Sequence, residues 1–183
     1  MAVHLVRVIA GTAKGRKLTA PKGLDTRPMT SRAREALFSA IAPEVTGARV
    51  LDLFAGSGSL GIEALSRGAA SATFIEKARP ALKSLRSNLE ATGFDGEIIA
   101  GDAVSAVRRL GGSFDLVFVD PPFAMEADVI AALLEDLVSA TASAATVVVH
   151  RRAGEPEVRV PSRMTVLGDR RYGDSVLWRY QRR

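Results

Sequence analysis

Between residues 48 and 150 the chain repeats one pattern: a short apolar run, a turn, then a stretch whose apolar positions recur three and four residues apart. The short runs are Arg49–Phe54, Ala72–Ile75, Glu97–Ala100, Phe114–Val119 and Ala145–Val149. Near-continuous Val, Ile, Leu and Phe in segments of this length predict strands buried on both faces. The periodic stretches predict helices. One covers Leu60–Arg67 and ends at Gly68. Another opens at Pro80, which suits a first helical position, and carries Leu82, Leu85 and Leu89 down one face to Gly93. A short helix precedes Gly111-Gly112, and a longer one is striped by Val129, Ile130, Leu133, Leu134, Leu137 and Val138. Alternating strands and helices predict an α/β fold with a mostly parallel central sheet, right-handed crossovers and helices on both faces. Two extended segments within 163–181, with Gly168 to Gly173 between them, predict a closing antiparallel hairpin.

The N-terminal part reads differently. Residues 4–9 and 16–19 predict a small hairpin around Ala10 to Gly15, with Lys14, Arg16 and Lys17 at its tip. Pro21, Gly23 and Pro28 mark a loop. Thr30 or Ser31 can cap a helix through Ala33, Ala36, Leu37, Ala40 and Ile41, which Pro43 and Gly47 stop. Pattern and charge both change near residue 46, so residues 1–46 are expected to form a basic hairpin–helix extension and 47–183 the main domain.

Composition narrows the class. With 183 residues, 47% hydrophobic and 25% charged, the chain can bury a core without staples. The absence of cysteine excludes disulfides, zinc–thiolate sites and iron–sulfur clusters. No run approaches the ~18 apolar residues of a membrane span, and the N-terminus lacks a signal-peptide core, so a soluble cytoplasmic protein is expected. The net charge of +5 is unevenly placed: +5 in residues 1–46, −5 in 47–150 and +5 in 151–183. Basic ends suit a polyanionic partner, because each Lys or Arg placed on a phosphate releases a counterion. Solvated basic surfaces give the same pattern. Only 10 aromatic residues argue against a platform that stacks many bases.

In open α/β sheets ligands bind beyond the C-terminal strand ends, so chemistry is sought there. Asp52-Leu-Phe-Ala-Gly-Ser-Gly-Ser-Leu-Gly61 follows the first strand, and Gly56, Gly58 and Gly61 match G-x-G-x-x-G, where missing side chains admit a ligand to the backbone. A tight strand-to-helix turn would use the same glycines. Glu76 ends the second strand, 18 residues past Gly58, where a carboxylate can accept both hydroxyls of a ribose. Asp102 follows the third strand and is placed to reach an adenine amino group. A nicotinamide-dependent dehydrogenase fits all of this. Asp120-Pro121-Pro122-Phe123, after the fourth strand, separates the readings. An exocyclic amine is a poor nucleophile because its lone pair is delocalised into the base. Asp120 and the Pro121 carbonyl can accept both of its N–H groups, two prolines stiffen the loop, and Phe123 can stack on an extruded base. Asp52 beside the glycine turn suits a cationic sulfonium ligand, or its amino-acid moiety, better than a pyrophosphate.

These residues resemble the class I methyltransferases that use S-adenosylmethionine. Arg7-Val-Ile-Ala-Gly11, Gly15-Arg-Lys-Leu18, the run from Arg27 to Phe38, Leu51 to Gly58 and Glu63 to Gly68 are similar to the bacterial 16S ribosomal RNA guanine-N2 methyltransferases, type D. Met29 and Ser31 depart from the Thr and Asp expected there. The resemblance implies a Rossmann-like fold with an N-terminal extension, and S-adenosylmethionine as cofactor, leaving as S-adenosyl-L-homocysteine, with no metal. It places the methionine part at Ala55, Gly56, Ser57 and Gly58, the ribose at Glu76, and the adenine at Asp102 and Ala103, with Asp52 and Lys77 also expected to bind the cofactor. Asp120, Pro121, Pro122 and Phe123 become catalytic, while Arg7, Lys14, Arg16, Lys17, Arg27 and Arg32 contact RNA, with Arg34 either lining the entrance or lying on a solvated helix face. The implied partner is 16S ribosomal RNA or the small subunit, with no membrane, and a monomer is expected. Adenine-N6 methylation of DNA or RNA uses the same amine chemistry, and a non-catalytic RNA-binding assembly factor would also explain the basic ends. His4, read as a surface strand residue, and His150, at the end of the fifth sheet strand, receive no catalytic role.

Overall fold

Two short strands, β1 (Val6–Arg7) and β2 (Lys17–Leu18), pair antiparallel at the start of the chain, with Val6 opposite Leu18. The structure, a computed structural model, describes residues 6–20 and 29–183; His4 and Arg27 lie outside the described residues. Helix α1 (Ser31–Ala40) starts at Thr30, whose hydroxyl accepts the amide of Ala33 at 3.2 Å. Pro43 does not end helical structure. It sits in the first turn of a four-residue helix, α2 (Ala42–Val45), where its missing N–H costs nothing.

The main sheet runs through β3 (Arg49–Leu53), α3 (Ser59–Ser66), β4 (Ser71–Glu76), α4 (Arg79–Thr92), β5 (Glu97–Ala100), α5 (Ala103–Val107), β6 (Phe114–Val119), α6 (Ala127–Ala140), β7 (Thr141–Arg152), β8 (Met164–Tyr172) and β9 (Ser175–Arg182). Its order is β5-β4-β3-β6-β7-β9-β8, with the first five strands parallel and β9 antiparallel to both neighbours. Chain order reverses between β3 and β6, which creates the crevice where such sheets bind ligands. Alternate strand residues feed two apolar layers. Val50, Phe74, Leu116, Phe118 and Val148 pack with α1, α3 and α4 on one side, and Leu51, Ile75, Val117, Val119 and Val147 with α5 and α6 on the other. Among the described residues, no helix is long and apolar enough to cross a membrane.

The closing hairpin forms, but its turn lies at Gly173-Asp174. Gly168 is instead inside β8, at φ 133, where the pairing register slips between Val166 and Gly168. A glycine in an edge strand is where a bulge is tolerated. β7 is also longer than its β-branched run: it follows α6 without a loop, passes through Ala144 at φ 63, and resumes regular pairing at Thr146.

The N-terminal hairpin is fastened to α3. Glu63, fully buried, accepts the amides of Ile9 at 2.7 Å and Ala10 at 3.1 Å, and pairs with Arg67 at 2.7 Å. Gly11, at φ +81, lies so close to Ser66 that a Cβ would fall 1.7 Å from its carbonyl oxygen. No other residue fits there. Val6, Val8, Leu18, Met29 and α1 share one apolar cluster with Leu60, Ile62 and Phe74.

Candidate active site

The turn from β3 to α3 places two glycines at positive φ, Gly56 at 56° and Gly58 at 79°, next to Phe54 at 59°. The three glycines of the motif do different work. A Cβ on Gly56 would meet only the Phe54 carbonyl at 3.9 Å, so its face is open. A Cβ on Gly58 would lie 2.3 Å from Leu85 Cδ1, and one on Gly61 2.3 Å from the Phe74 ring. Both are required by close packing, Gly58 against Leu85 of α4 and Gly61 against Phe74 of β4. Asp52 lies beneath the turn, 1% exposed, with Oδ2 accepting the Gly61 amide at 2.9 Å. Its Oδ1 is buried and has no partner among the described residues. Burial holds this carboxyl well above the usual carboxylate range, against the pull of the Gly61 amide, and the charges of Asp120 and Glu76 push it the same way as burial.

Glu76, half-buried at the end of β4, accepts the Gly56 amide at 2.8 Å through Oε2, and the amides of Lys77 at 2.8 Å and Ala78 at 2.7 Å through Oε1. One carboxylate thereby ties the glycine turn to the start of α4. Asp102 N-caps α5: its Oδ1 accepts the Ser105 amide at 3.2 Å, and Oδ2 reaches Lys77 Nζ at 3.3 Å. The cap hydrogen bond, followed by the Lys77 contact, holds Asp102 below the usual carboxylate range. Ala103 is buried behind it. Asp52, Glu76 and Asp102 thus sit at the C-terminal ends of three adjacent parallel strands.

Asp120 leaves β6 directly across the crevice from the glycine turn, with its amide 3.5 Å from the Leu53 carbonyl. Pro121 is buried, Pro122 exposed and Phe123 half-buried, and the loop closes when the Met125 amide donates to the Pro122 carbonyl at 2.9 Å. Asp120 Oδ1 lies 2.7 Å from His150 Nδ1, and the His150 ring meets Phe123 edge-on with centroids 5.7 Å apart. The neighbouring Arg151 donates to the Met125 carbonyl at 2.7 Å and pairs with Glu155 at 2.8 Å. His150 is the site neighbour that the residue pattern missed. Its one visible signal is a histidine directly after the apolar run Val147–Val149, two residues before β7 ends.

Among the basic residues, Lys14, Arg16, Lys17 and Arg32 are exposed, and exposed Arg7 donates to the Gly15 carbonyl at 3.1 Å, bracing the hairpin. Arg34 fits neither expectation. It is 1% exposed, donates to the Arg7 carbonyl, and is held below its ordinary range mainly by burial while Glu63 opposes the shift. It fastens the hairpin and does not line an entrance.

Five parallel strands ordered around a β3/β6 switch point, an antiparallel β9 inserted between β7 and β8, and a glycine turn facing strand-end acids define a class I methyltransferase fold. The chain belongs to the family described as "Conserved hypothetical protein 95", which matches residues 6–181. It is 44% identical over 119 residues to the Ribosomal RNA small subunit methyltransferase D of Escherichia coli strain K12, a match covering 64% of this chain and 60% of that one. The protein of the same name from Haemophilus influenzae is 39% identical over 123 residues, covering 64% of each. Both matches therefore span less than two thirds of the relative's length. A solved Escherichia coli structure, yhhF, carrying a provisional methyltransferase assignment, superposes with a TM-score of 0.87 at 36% identity and covers 97% of this chain and 98% of that one.

Proposed function

We propose that this chain is an S-adenosylmethionine-dependent methyltransferase acting on the exocyclic N2 of a guanine in 16S ribosomal RNA of the small subunit. The observation that carries this reading is Asp120-Pro121-Pro122-Phe123 at the switch point, with one Asp120 oxygen held by His150 and the other, Oδ2, without a partner among the described residues. The names of its relatives supply the substrate class.

The cofactor pocket fits on independent grounds. Gly56 offers an open backbone face, and Asp52 Oδ1 is an orphaned buried acceptor at the same turn. Glu76 and the Lys77–Asp102 pair line the next two strand ends. Ala55 to Gly58 with Asp52 would hold the methionine moiety, Glu76 and Lys77 the ribose, and Asp102 and Ala103 the adenine. The cofactor supplies an electrophilic methyl group on a sulfonium, an activation that needs no metal.

The protein contributes orientation and electrostatics. Asp120 Oδ2 and the Pro121 carbonyl accept the two N–H groups of the amine and draw its nitrogen toward tetrahedral geometry. Phe123 stacks on the extruded base, which leaves the Watson–Crick stack to reach the site. Once the amine is methylated its remaining protons are strongly acidic, so Asp120 need only hold one and release it to water. Lys14, Arg16, Lys17 and Arg32, with Arg7 bracing the hairpin, meet RNA phosphates. The enzyme acts as a monomer in the cytoplasm.

The test is tritium transfer from labelled S-adenosylmethionine to small-subunit particles from a strain lacking the protein, followed by nucleoside analysis. N2-methylguanosine in 16S RNA is expected. N6-methyladenosine would move the target base, and no incorporation with cofactor bound would overturn the substrate.

A further inference from the structure

We infer that His150 is the positioning residue of the site: its Nδ1–H holds Asp120 Oδ1 and so turns Oδ2 toward the target amine. This rests on the role proposed above for Asp120.

The need for such a residue follows from the loop. An aspartate at a strand end is commonly oriented by amides one and two residues further on. Here those residues are Pro121 and Pro122, which have no N–H. The chain that stiffens the loop therefore removes the local donors that would aim its carboxylate. His150 replaces them from another strand. With Asp120 as a carboxylate, an acceptor only, the 2.7 Å contact requires the proton on Nδ1. The donor is well anchored. His150 is 2% exposed, it is paired in register with Leu177 of β9, and the preceding residue, Val149, is paired with both β6 and β9. Its ring also braces Phe123 edge-on, so one side chain touches both the carboxylate and the aromatic of the motif. Arg151, the next residue and so directed to the opposite face of the strand, holds the far end of the same loop through the Met125 carbonyl.

A packing role alone does not account for the residue. His150 Nε2 is buried with no partner among the described residues, which costs free energy that a leucine or phenylalanine of similar volume would avoid. The compensating feature is the Nδ1 hydrogen bond.

Three variants separate the readings, each assayed with small-subunit particles and checked by its melting temperature. His150→Asn keeps an N–H near the Nδ1 position, His150→Gln moves the polar group toward the Nε2 position, and His150→Leu removes it. A hydrogen bond to a charged group of this kind corresponds to about a 10- to 100-fold effect. His150→Leu and His150→Gln are expected to lose that factor in kcat, with KM for the particle and Kd for S-adenosylmethionine within about threefold of wild type. His150→Asn is expected to recover to within about fivefold of wild-type kcat. Undiminished kcat in the folded Leu or Gln variant would overturn the assignment, as would an Asn variant as impaired as Gln, or a loss carried by KM or cofactor binding. Wild-type protein that transfers no methyl group would instead sink the proposed function itself.

Discussion

Gly61→Ala puts a number on the packing logic of the glycine motif. Gly61 lies inside α3, where alanine gains about 1 kcal/mol of helix propensity. An added Cβ would sit 2.3, 2.8 and 3.1 Å from three carbons of the Phe74 ring. Comfortable carbon contacts need roughly 3.5–4.0 Å, so the ring must retreat by about 1 Å or more. It has nowhere to go. Phe74 is fully buried, its opposite edge faces Gly96, where a Cβ would be at 2.7 Å, and Gly58 approaches it too. Overpacking costs about 1–3 kcal/mol, and an overlap this deep belongs at the upper end. After the propensity gain, a net loss of about 2 kcal/mol remains, or roughly 4–8 °C in a domain of this size. Thermal and urea denaturation read it directly. The companion variant Phe74→Leu makes room, so the double variant should be more stable than the sum of the two losses predicts, by about 1 kcal/mol. A Gly61→Ala protein that melts at or above wild type, or strictly additive losses, would refute the reasoning.

Asp120→Ala should nearly abolish methyl transfer while leaving S-adenosylmethionine affinity within about threefold, since in the proposed role the residue stabilises charge at the reacting nitrogen and does not touch the glycine turn; equal tritium incorporation would sink that role. Asp52 is raised in the folded state by burial, so the folded protein binds its proton more tightly than the unfolded chain. Stability from this group is present at low pH and is lost as pH rises from the unfolded carboxyl value through the folded one. Asp52→Asn should remove that fall, and parallel urea titrations from about pH 4 to 8 giving equal slopes for both proteins would count against it. Changing Lys14, Arg16 and Lys17 together to Ala should raise the RNA KM and flatten its salt dependence, by up to about three in the log–log slope if each meets a phosphate. An unchanged slope would remove the hairpin from the RNA interface.

Much of the fold was legible because its central strands are buried on both faces. Such strands read as unbroken apolar runs, and Arg49–Leu53 and Phe114–Val119 lie where that pattern predicts them. Helix ends carried local chemistry of their own, as at Thr30, which caps α1, and Gly93, which ends α4 at φ 72. The pattern failed where local preference and long-range pairing diverge. Thr141 to Ala145 has no β-branched run, yet it is strand because β6 pairs with its start and resumes beyond it. Gly168 reads as a turn, yet it is a bulge because β9 continues past it.

The sequence alone determined the order of elements and which residues stand at strand ends, because hydrophobic period and turn chemistry act over a few neighbouring residues. It therefore pointed to Asp52, Glu76, Asp102 and Asp120 as residues of one crevice. Tertiary structure decided what each of them meets. Only packing buries Asp52, divides the glycines between an open face at Gly56 and a crowded ring at Phe74, and sinks Arg34 beneath the hairpin. Only the sheet brings His150 to Asp120, thirty residues away in the chain and 2.7 Å away in space. Side-chain partners across a parallel sheet are set by strand order and register, which are properties of the assembled layers and leave no periodic trace along the chain.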